Sequence, residues 1–150
     1  MTDPYDNIQS SLDQRKPGLI PDYFSSFIIQ FNMTTQQVAD RLVDLLRAGN
    51  FNAVYDELFH PTEVVHDEPQ SPYFAHVVGV EAIKAKDEQM QSGIAEFLGM
   101  NVGEPAVSRD YFALPYQMKF KLKDGTVVDL DEIIVYEVRD GKIVLEKFFY

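Results

Sequence analysis

The sequence predicts an α+β fold: a curved antiparallel sheet wrapped around three helices, with an internal pocket. Helical spacing of apolar residues dominates residues 34–91, whereas residues 112–150 alternate with the period of two that is typical of strands. Helices that are segregated from an antiparallel meander define the α+β class. With 150 residues, of which 45% are hydrophobic, the chain can bury one core of this kind.

The first two helices are predicted from their caps. Thr34 and Gln37 have the spacing of a capping box, which satisfies the free amides at a helix start. Apolar residues then recur at helical spacing until Gly49, which can take the left-handed conformation that ends a helix. Asn50 follows as the cap of a second, shorter helix, which must end before Pro61.

Short strands and a third helix follow. Residues 64–68 and 75–78 contain β-branched pairs and flank a loop with two prolines, which indicates two short strands. The third helix is predicted over residues 80–91, with Ile83 and Met90 on its buried face and its lysines and acids elsewhere.

The C-terminal part of the chain is predicted to form long antiparallel strands. Turns that contain glycine, at residues 123–125 and 139–141, divide this part into three strands. The first strand ends at residue 122, and the other two cover residues 126–138 and 142–150. Pro115 cannot donate to a sheet ladder, so it is expected at a bulge or an edge. The first strand has one buried and one solvated face. Its buried face consists of Phe112, Leu114, Tyr116, Met118, Phe120 and Leu122.

Residues 1–32 differ from the rest of the chain. They contain three prolines, no sustained period, and an aromatic-rich segment at residues 23–31. We expect an N-terminal extension, partly ordered or acting as a docking arm, followed by a domain over residues 33–150.

The net charge of -11 excludes some classes of partner. A nucleic acid would meet a repulsive field, and no basic patch with interleaved aromatic residues is present. No apolar run is long enough to span a bilayer, and the acidic N-terminus lacks the features of a secretory signal. We therefore expect a cytoplasmic protein that binds neither nucleic acid nor membrane.

Sequence motifs for metals and cofactors are not found. The sequence has no cysteine, which removes disulfides, thiolate catalysis and cysteine-ligated zinc. It has no nucleotide-binding glycine loop, nucleophile elbow or metalloprotease helix. His66 and Glu68 could face a metal together, but a third ligand cannot be placed. We therefore predict no metal and no cofactor.

Three segments resemble motifs of nuclear transport factor 2-like domains. Residues 46–51 (LRAGNF) are similar to the junction of the first two helices, residues 78–83 (VGVEAI) to the start of the third helix, and residues 136–143 (YEVRDGKI) to the hairpin before the last strand. In this order and spacing they cover residues 34–150, and they resemble SnoaL-like, polyketide cyclase-related small bacterial proteins most. The resemblance implies a cone-shaped fold, a pocket and a homodimer, but no single chemistry.

The chain departs from ketosteroid isomerase, which has the same fold, at the catalytic positions. The segment that carries the base of that enzyme matches residues 67–69, but its oxyanion-hole tyrosine falls on Leu42 and its protonated aspartate on Ile134. Such an oxyanion hole needs acidic donors at both positions. Ketosteroid isomerase activity is therefore excluded, and the pocket is retained.

Glu132 and His66 are the candidate catalytic residues. Glu132 is the one charged residue on the apolar face of the strand over residues 126–138, where burial tends to raise the pKa of a carboxyl. Such a group can act as a general acid or base near neutral pH, although pairing with a buried cation would make it structural. His66 and Glu68 share one side of a short strand beside the pocket, and His66 can titrate near pH 7.

Several further residues are candidate ligand contacts. The hydroxyls of Tyr116 and Tyr136 could orient a carbonyl group, unless each finds an ordinary buried partner. Tyr55 on the second helix could line or close the pocket. The predicted ligand-binding residues are Tyr116, Tyr136, Tyr55, Glu68, Phe112 and Met118.

Three functions remain open from the sequence. The chain could be an enzyme that isomerises, cyclises or hydrates a small apolar carbonyl compound, or a non-catalytic domain for ligand binding or dimerisation. It could also be an interaction module that uses residues 21–31. Ile133 and Val135 on the outer face of their strand indicate a covered sheet and hence a homodimer.

Overall fold

The computed structural model describes residues 32–72 and 74–150. Apart from Asn32, the predicted N-terminal extension lies outside the described residues. The helices are α1 (Thr35–Arg47), α2 (Phe51–Ala53), which runs into a π-helical turn (Val54–Leu58), and α3 (Val80–Ser92). The strands are β1 (Val65–Asp67), β2 (His76–Val78), β3 (Ile94–Val102), β4 (Ala106–Val107), β5 (Tyr111–Leu122), β6 (Val127–Arg139) and β7 (Lys142–Phe149).

The seven strands form one open sheet, and the predicted α+β class is confirmed. The order is β2-β1-β7-β6-β5-β3, with β4 beside β5. The sheet is mixed rather than wholly antiparallel, because β1 pairs with β7 in parallel. This pairing follows from the connection between the two strands, which contains α3 and the meander and is long enough for a parallel crossover.

The predicted caps of the helices are present. The Thr34 side chain accepts a hydrogen bond from the backbone N–H of Gln37, whose side chain accepts in turn from the backbone of Thr34. Gly49 has a φ of 68°, the left-handed value expected at the helix end. The second helix starts at Asn50 as predicted but widens into a π-helical turn, a local feature that often marks functional sites.

The long strands β5 and β6 alternate as predicted, with every second side chain turned toward the helices. Pro115 lies where the outer neighbour of β5 changes from β3 to β4. Val102 is opposite Tyr116 and Ala106 is opposite Ala113, so the neighbouring chain has one extra residue there. The irregular ladder tolerates a residue that cannot donate a hydrogen bond.

The core lies between α1 and the inner face of the sheet. Val38, Leu42 and Leu46 of α1 are buried against β5 and β6 residues such as Leu114 and Ile134. Among the described residues, no helix is both long enough and apolar enough to cross a membrane. One side of the inner face is not filled by side chains, and this gap forms the site described next.

Candidate functional site

A cavity of about 430 Å³ lies between the helices and the inner face of β5, β6 and β7. Most of its wall is apolar and includes Leu42 of α1 and Ile134 of β6. Four carboxylates reach the wall, from Glu68, Asp87, Glu132 and Glu146. The hydroxyl-bearing side chains on the wall are Tyr55, Tyr116 and Tyr136, and Lys86 adds an ammonium group.

The strand register sets these side chains in rows across the sheet. Tyr116 on β5 is directly opposite Glu132 on β6. In the next polar row, Tyr136 is opposite Glu146 on β7, and Glu146 is opposite His66 on β1. Since residues opposite each other share a face, both rows point toward the helices.

The carboxyl group of Glu132 has no partner in the described part of the chain. The residue is only 6% exposed, and no hydrogen bond or ion pair to its carboxyl is found among residues 32–72 and 74–150. Burial, followed by the nearby charge of Glu68, raises the pKa of Glu132 to about 7. Near neutral pH the group therefore has both its ionised and its neutral form available, and it can both accept and release a proton.

His66 is fully buried and is held between two carboxylates. Its Nδ1 lies 2.7 Å from Glu146 Oε1 and its Nε2 lies 3.1 Å from Glu68 Oε2. Burial alone would lower the pKa of His66, but the hydrogen bonds to Glu146 and Glu68 outweigh it and raise the pKa to about 9. The Lys86 ammonium, 3.2 Å from Nε2, opposes protonation without reversing the shift. At neutral pH His66 is an imidazolium that donates to both carboxylates.

A second polar chain connects α3 to the π-helical turn. Lys86 Nζ lies 3.0 Å from Asp87 Oδ1, and the hydroxyl of Tyr55 donates to Asp87 Oδ2. Lys86 also lies 6.0 Å from the centre of the Phe148 ring. Because the side chains of Lys86 and Asp87 are 10% and 20% exposed, this ion pair is shielded from bulk water.

The tyrosines on the wall remain protonated. Burial raises the pKa of Tyr116 to about 12 and that of Tyr136 well above its ordinary value. Tyr116 donates to the thioether of Met100 at 3.2 Å, a weak acceptor that a carbonyl oxygen could replace. No hydrogen bond of the Tyr136 hydroxyl is found among the described residues, so this hydroxyl is open to the cavity.

The predicted site residues fall into two groups. The cavity wall contains Glu132, Glu68, Tyr55, Tyr116, Tyr136 and Met118. His66 lies behind the wall, where both of its nitrogens are occupied by carboxylates. Phe112 is not on the wall, because it stacks on the back of Tyr136 with 4.7 Å between ring centroids. The structure therefore places Phe112 in the core rather than in contact with a ligand.

Four polar residues of the site were not predicted: Glu146, Lys86, Asp87 and Tyr150. The expectation that the lysines and acids of α3 lie away from its buried face is wrong for Lys86 and Asp87. Their signal was the spacing of residues 83, 86, 87 and 90 on one helix face. Glu146 lies on the same face of its strand as Val144 and Phe148, just as Glu132 shares a strand face with Ile134. Tyr150 donates to Glu68 from the chain end, and no sequence pattern indicated this.

The cluster around His66 is held together by ion pairs to Glu68 and Glu146. In the described residues no group of three or more His, Asp or Glu side chains has the arrangement of a metal site. Both nitrogens of His66 already contact carboxylates, so neither offers a lone pair at neutral pH.

Solved structures share this fold. A solved structure from Mesorhizobium loti, described as a SnoaL-like polyketide cyclase, is 29% identical with a TM-score of 0.73 and covers 79% of this chain and 100% of that chain. A SnoaL-like polyketide cyclase from Jannaschia sp. CCS1 is 16% identical with a TM-score of 0.64, covering 77% of this chain and 86% of the other. A nuclear transport factor 2-like protein of unknown function from Burkholderia pseudomallei K96243 is 17% identical with a TM-score of 0.63, covering 77% and 89%.

The SnoaL-like domain family matches residues 33–150, and the chain belongs to this family. The resemblance inferred from the three sequence motifs is thereby confirmed. No protein of curated function matches the chain.

Proposed function

We propose that the protein is an enzyme that performs acid/base chemistry on a small, mostly apolar carbonyl compound. The observation that supports this most is Glu132, a buried carboxyl that faces the cavity without a partner among the described residues. A structural carboxylate would be paired, as Glu146 and Glu68 are with His66. An unpaired one with a pKa of about 7 is suited to move a proton at neutral pH.

The proposed reaction begins with an enolisable carbonyl compound in the cavity. The Glu132 carboxylate takes a proton from the carbon next to the carbonyl, and the electron pair of that C–H bond moves into the enolate. A tyrosine hydroxyl donates a hydrogen bond to the enolate oxygen, with Tyr116 opposite Glu132 and Tyr136 on the same strand as candidates. In an isomerisation of an unsaturated ketone, the protonated Glu132 returns the proton to the far carbon of the conjugated dienolate. In a cyclisation, the enolate carbon attacks a second carbonyl of the same compound, and the alkoxide that forms takes the proton from Glu132.

His66 has a positioning role in this proposal. Its imidazolium donates hydrogen bonds to Glu68 and Glu146 and holds both carboxylates beside the cavity. Burial alone would raise the pKa of Glu68, but the hydrogen bonds from His66 and Tyr150 hold it below its usual value. Because Glu68 stays negative, it helps to keep the pKa of Glu132 high.

Proton exchange at carbon tests this proposal without knowledge of the natural substrate. Small cyclic ketones are incubated with the protein in deuterated water, and the loss of the α-proton signal is followed by NMR. We expect exchange with the wild type and with Asp131→Asn, which removes a charge from the exposed side of the same strand, but not with Glu132→Gln. The carboxyl signal of Glu132 is titrated in parallel and should give a pKa near 7 that shifts when a ketone is added.

A non-catalytic ligand-binding domain is the competing function. It would be favoured if ketones shift the pKa of Glu132 but no variant differs from the wild type in proton exchange. An ordinary pKa for Glu132, unchanged by any ketone, would exclude both the catalytic proposal and its geometry.

We also propose a homodimer formed through the outer face of the sheet. Pro115, Ile133 and Phe149 are adjacent on β5, β6 and β7, and Ile133 and Phe149 are 48% and 47% exposed. A second copy could cover this patch in a symmetric interface. Light scattering of the wild type and Ile133→Lys tests it: a dimer that becomes a monomer is expected, and a monomeric wild type would contradict the proposal.

A further inference from the structure

The ionisable groups around the cavity do not balance in charge. The carboxylates are Glu68 just after β1, Asp87 from α3, Glu132 from β6 and Glu146 from the middle of β7. The cations that contact them are His66, bound to two carboxylates, and Lys86, bound to Asp87. The tyrosines that face them, Tyr55, Tyr116, Tyr136 and Tyr150, are all neutral because their pKa values are raised. With Glu132 ionised, four negative charges thus face two positive ones.

The excess charge is localised on Glu132. His66 and Lys86 are occupied by the other three carboxylates, at distances of 2.7 to 3.1 Å. Glu132 is 94% buried and contacts none of the described cations within ion-pair distance. An ionised carboxylate in such a site needs a counter-charge. The described part of the protein does not supply one.

The rest of the wall is suited to the apolar part of a cation. Aromatic rings reach the cavity from α2 and the π-helical turn with the residue after it, and from β3, β5, β6 and β7. The faces of such rings attract positive charge, and Lys86 already lies 6.0 Å from the centre of the Phe148 ring. They include the rings of Phe51, Tyr55, Phe59, Tyr116, Tyr136 and Phe148.

We propose that the cavity selects a ligand with a positively charged, apolar nitrogen group, such as an alkylammonium, which lies beside Glu132, and that it rejects carboxylates and phosphates. This inference goes beyond the proposed function because it fixes the charge of the ligand whether or not Glu132 moves a proton. It is compatible with catalysis if the carbonyl compound also carries the nitrogen.

Binding of a cation should couple to the ionisation of Glu132. The ionised form increases as the pH rises through about 7, so a ligand with a permanent positive charge should bind more tightly at pH 8 than at pH 5.5. His66, with a pKa of about 9, and the protonated tyrosines do not change charge in this interval. An uncharged ligand of the same shape should show no such gain.

Choline and 3,3-dimethylbutanol make a matched pair of probes, because they have the same shape and differ only in whether nitrogen or carbon is at the centre of the apolar head. Dissociation constants are measured by amide NMR titration into the millimolar range, for the wild type, Glu132→Gln and Asp131→Asn. We expect choline to bind at least about tenfold more tightly than the alcohol to the wild type at pH 8, the size of one moderate charge interaction. Asp131→Asn should keep this preference, and Glu132→Gln should lose most of it.

Each other outcome overturns the inference. Equal affinities of the two probes, no binding of either, or a preference that survives Glu132→Gln would show that the excess charge does not select the ligand. If Glu132→Gln does not fold, the pH dependence of choline binding to the wild type decides, since no increase between pH 5.5 and pH 8 contradicts the coupling. A ketone that exchanges protons through Glu132 while choline shows no preference would refute this inference and leave the proposed function intact.

Discussion

Glu132→Gln should stabilise the fold at neutral pH but not at acidic pH. The pKa of Glu132 rises from 4.5 to about 7 in the folded protein, and each unit corresponds to about 1.4 kcal/mol. Between these pH values the folded state binds more protons than the unfolded state, so the stability of the wild type falls as the pH rises. The full shift corresponds to about 3 kcal/mol, and solvation of the carboxylate by water in the cavity reduces the expected effect to about 1–2 kcal/mol.

Urea unfolding at about pH 5 and about pH 8 measures this effect. The quantity of interest is the free energy of unfolding of Glu132→Gln minus that of the wild type. Other carboxyl groups titrate in both proteins and largely cancel in the difference. We expect the difference to grow with pH, while Asp131→Asn, on the exposed face, shows no such trend. A difference that is constant, or that shrinks with rising pH, would refute the assignment of an unpaired buried carboxylate.

Three further variants test other parts of the structure by urea unfolding. His66→Gln leaves Glu68 and Glu146 without their shared cation and should cost about 3–5 kcal/mol. The pKa of His66 is raised from 6.5 to about 9, so the reduction in the free energy of unfolding should have its full size below pH 6.5 and shrink as the pH rises through 9. A reduction that does not depend on pH would contradict a charged His66. Gly141→Ala should cost about 2 kcal/mol or more, because φ is 73° and a Cβ would lie 2.8 Å from a backbone nitrogen; an unchanged stability would contradict this turn. Tyr136→Phe should change stability by less than about 1 kcal/mol, as its hydroxyl has no described partner; a larger loss would reveal one.

The sequence predicted the fold well because its signals are local. The capping box at Thr34 and Gln37, the left-handed Gly49 and the alternation along β5 each depend on residues close in the chain. The parallel pairing of β1 with β7 was not predicted, because a three-residue strand contains no information about a partner 80 residues away.

The site was harder to predict, and the residues on α3 show why. The helix is polar over most of its surface and buries few residues, so Lys86 and Asp87 look like solvent-exposed charges in the sequence. They turn inward only because the adjacent cavity leaves room for them and because His66 and Tyr55 offer polar contacts there. Such contacts depend on tertiary structure, which periodicity alone does not reveal.

Glu132 and Glu146 show which part of the chemistry a sequence pattern can carry. Both are single carboxylates on the apolar face of a strand, and by pattern they are equivalent candidates for a catalytic acid. Their partners separate them: Glu146 lies 2.7 Å from His66, whereas Glu132 has no described counter-ion. Neighbouring acids whose environments differ in this way can take different roles at one pH. Because His66 binds the other two carboxylates, Glu132 is the acid that is free to contact a ligand. Removal of the His66 side chain should release Glu68 and Glu146 as two competing carboxylates beside the same cavity.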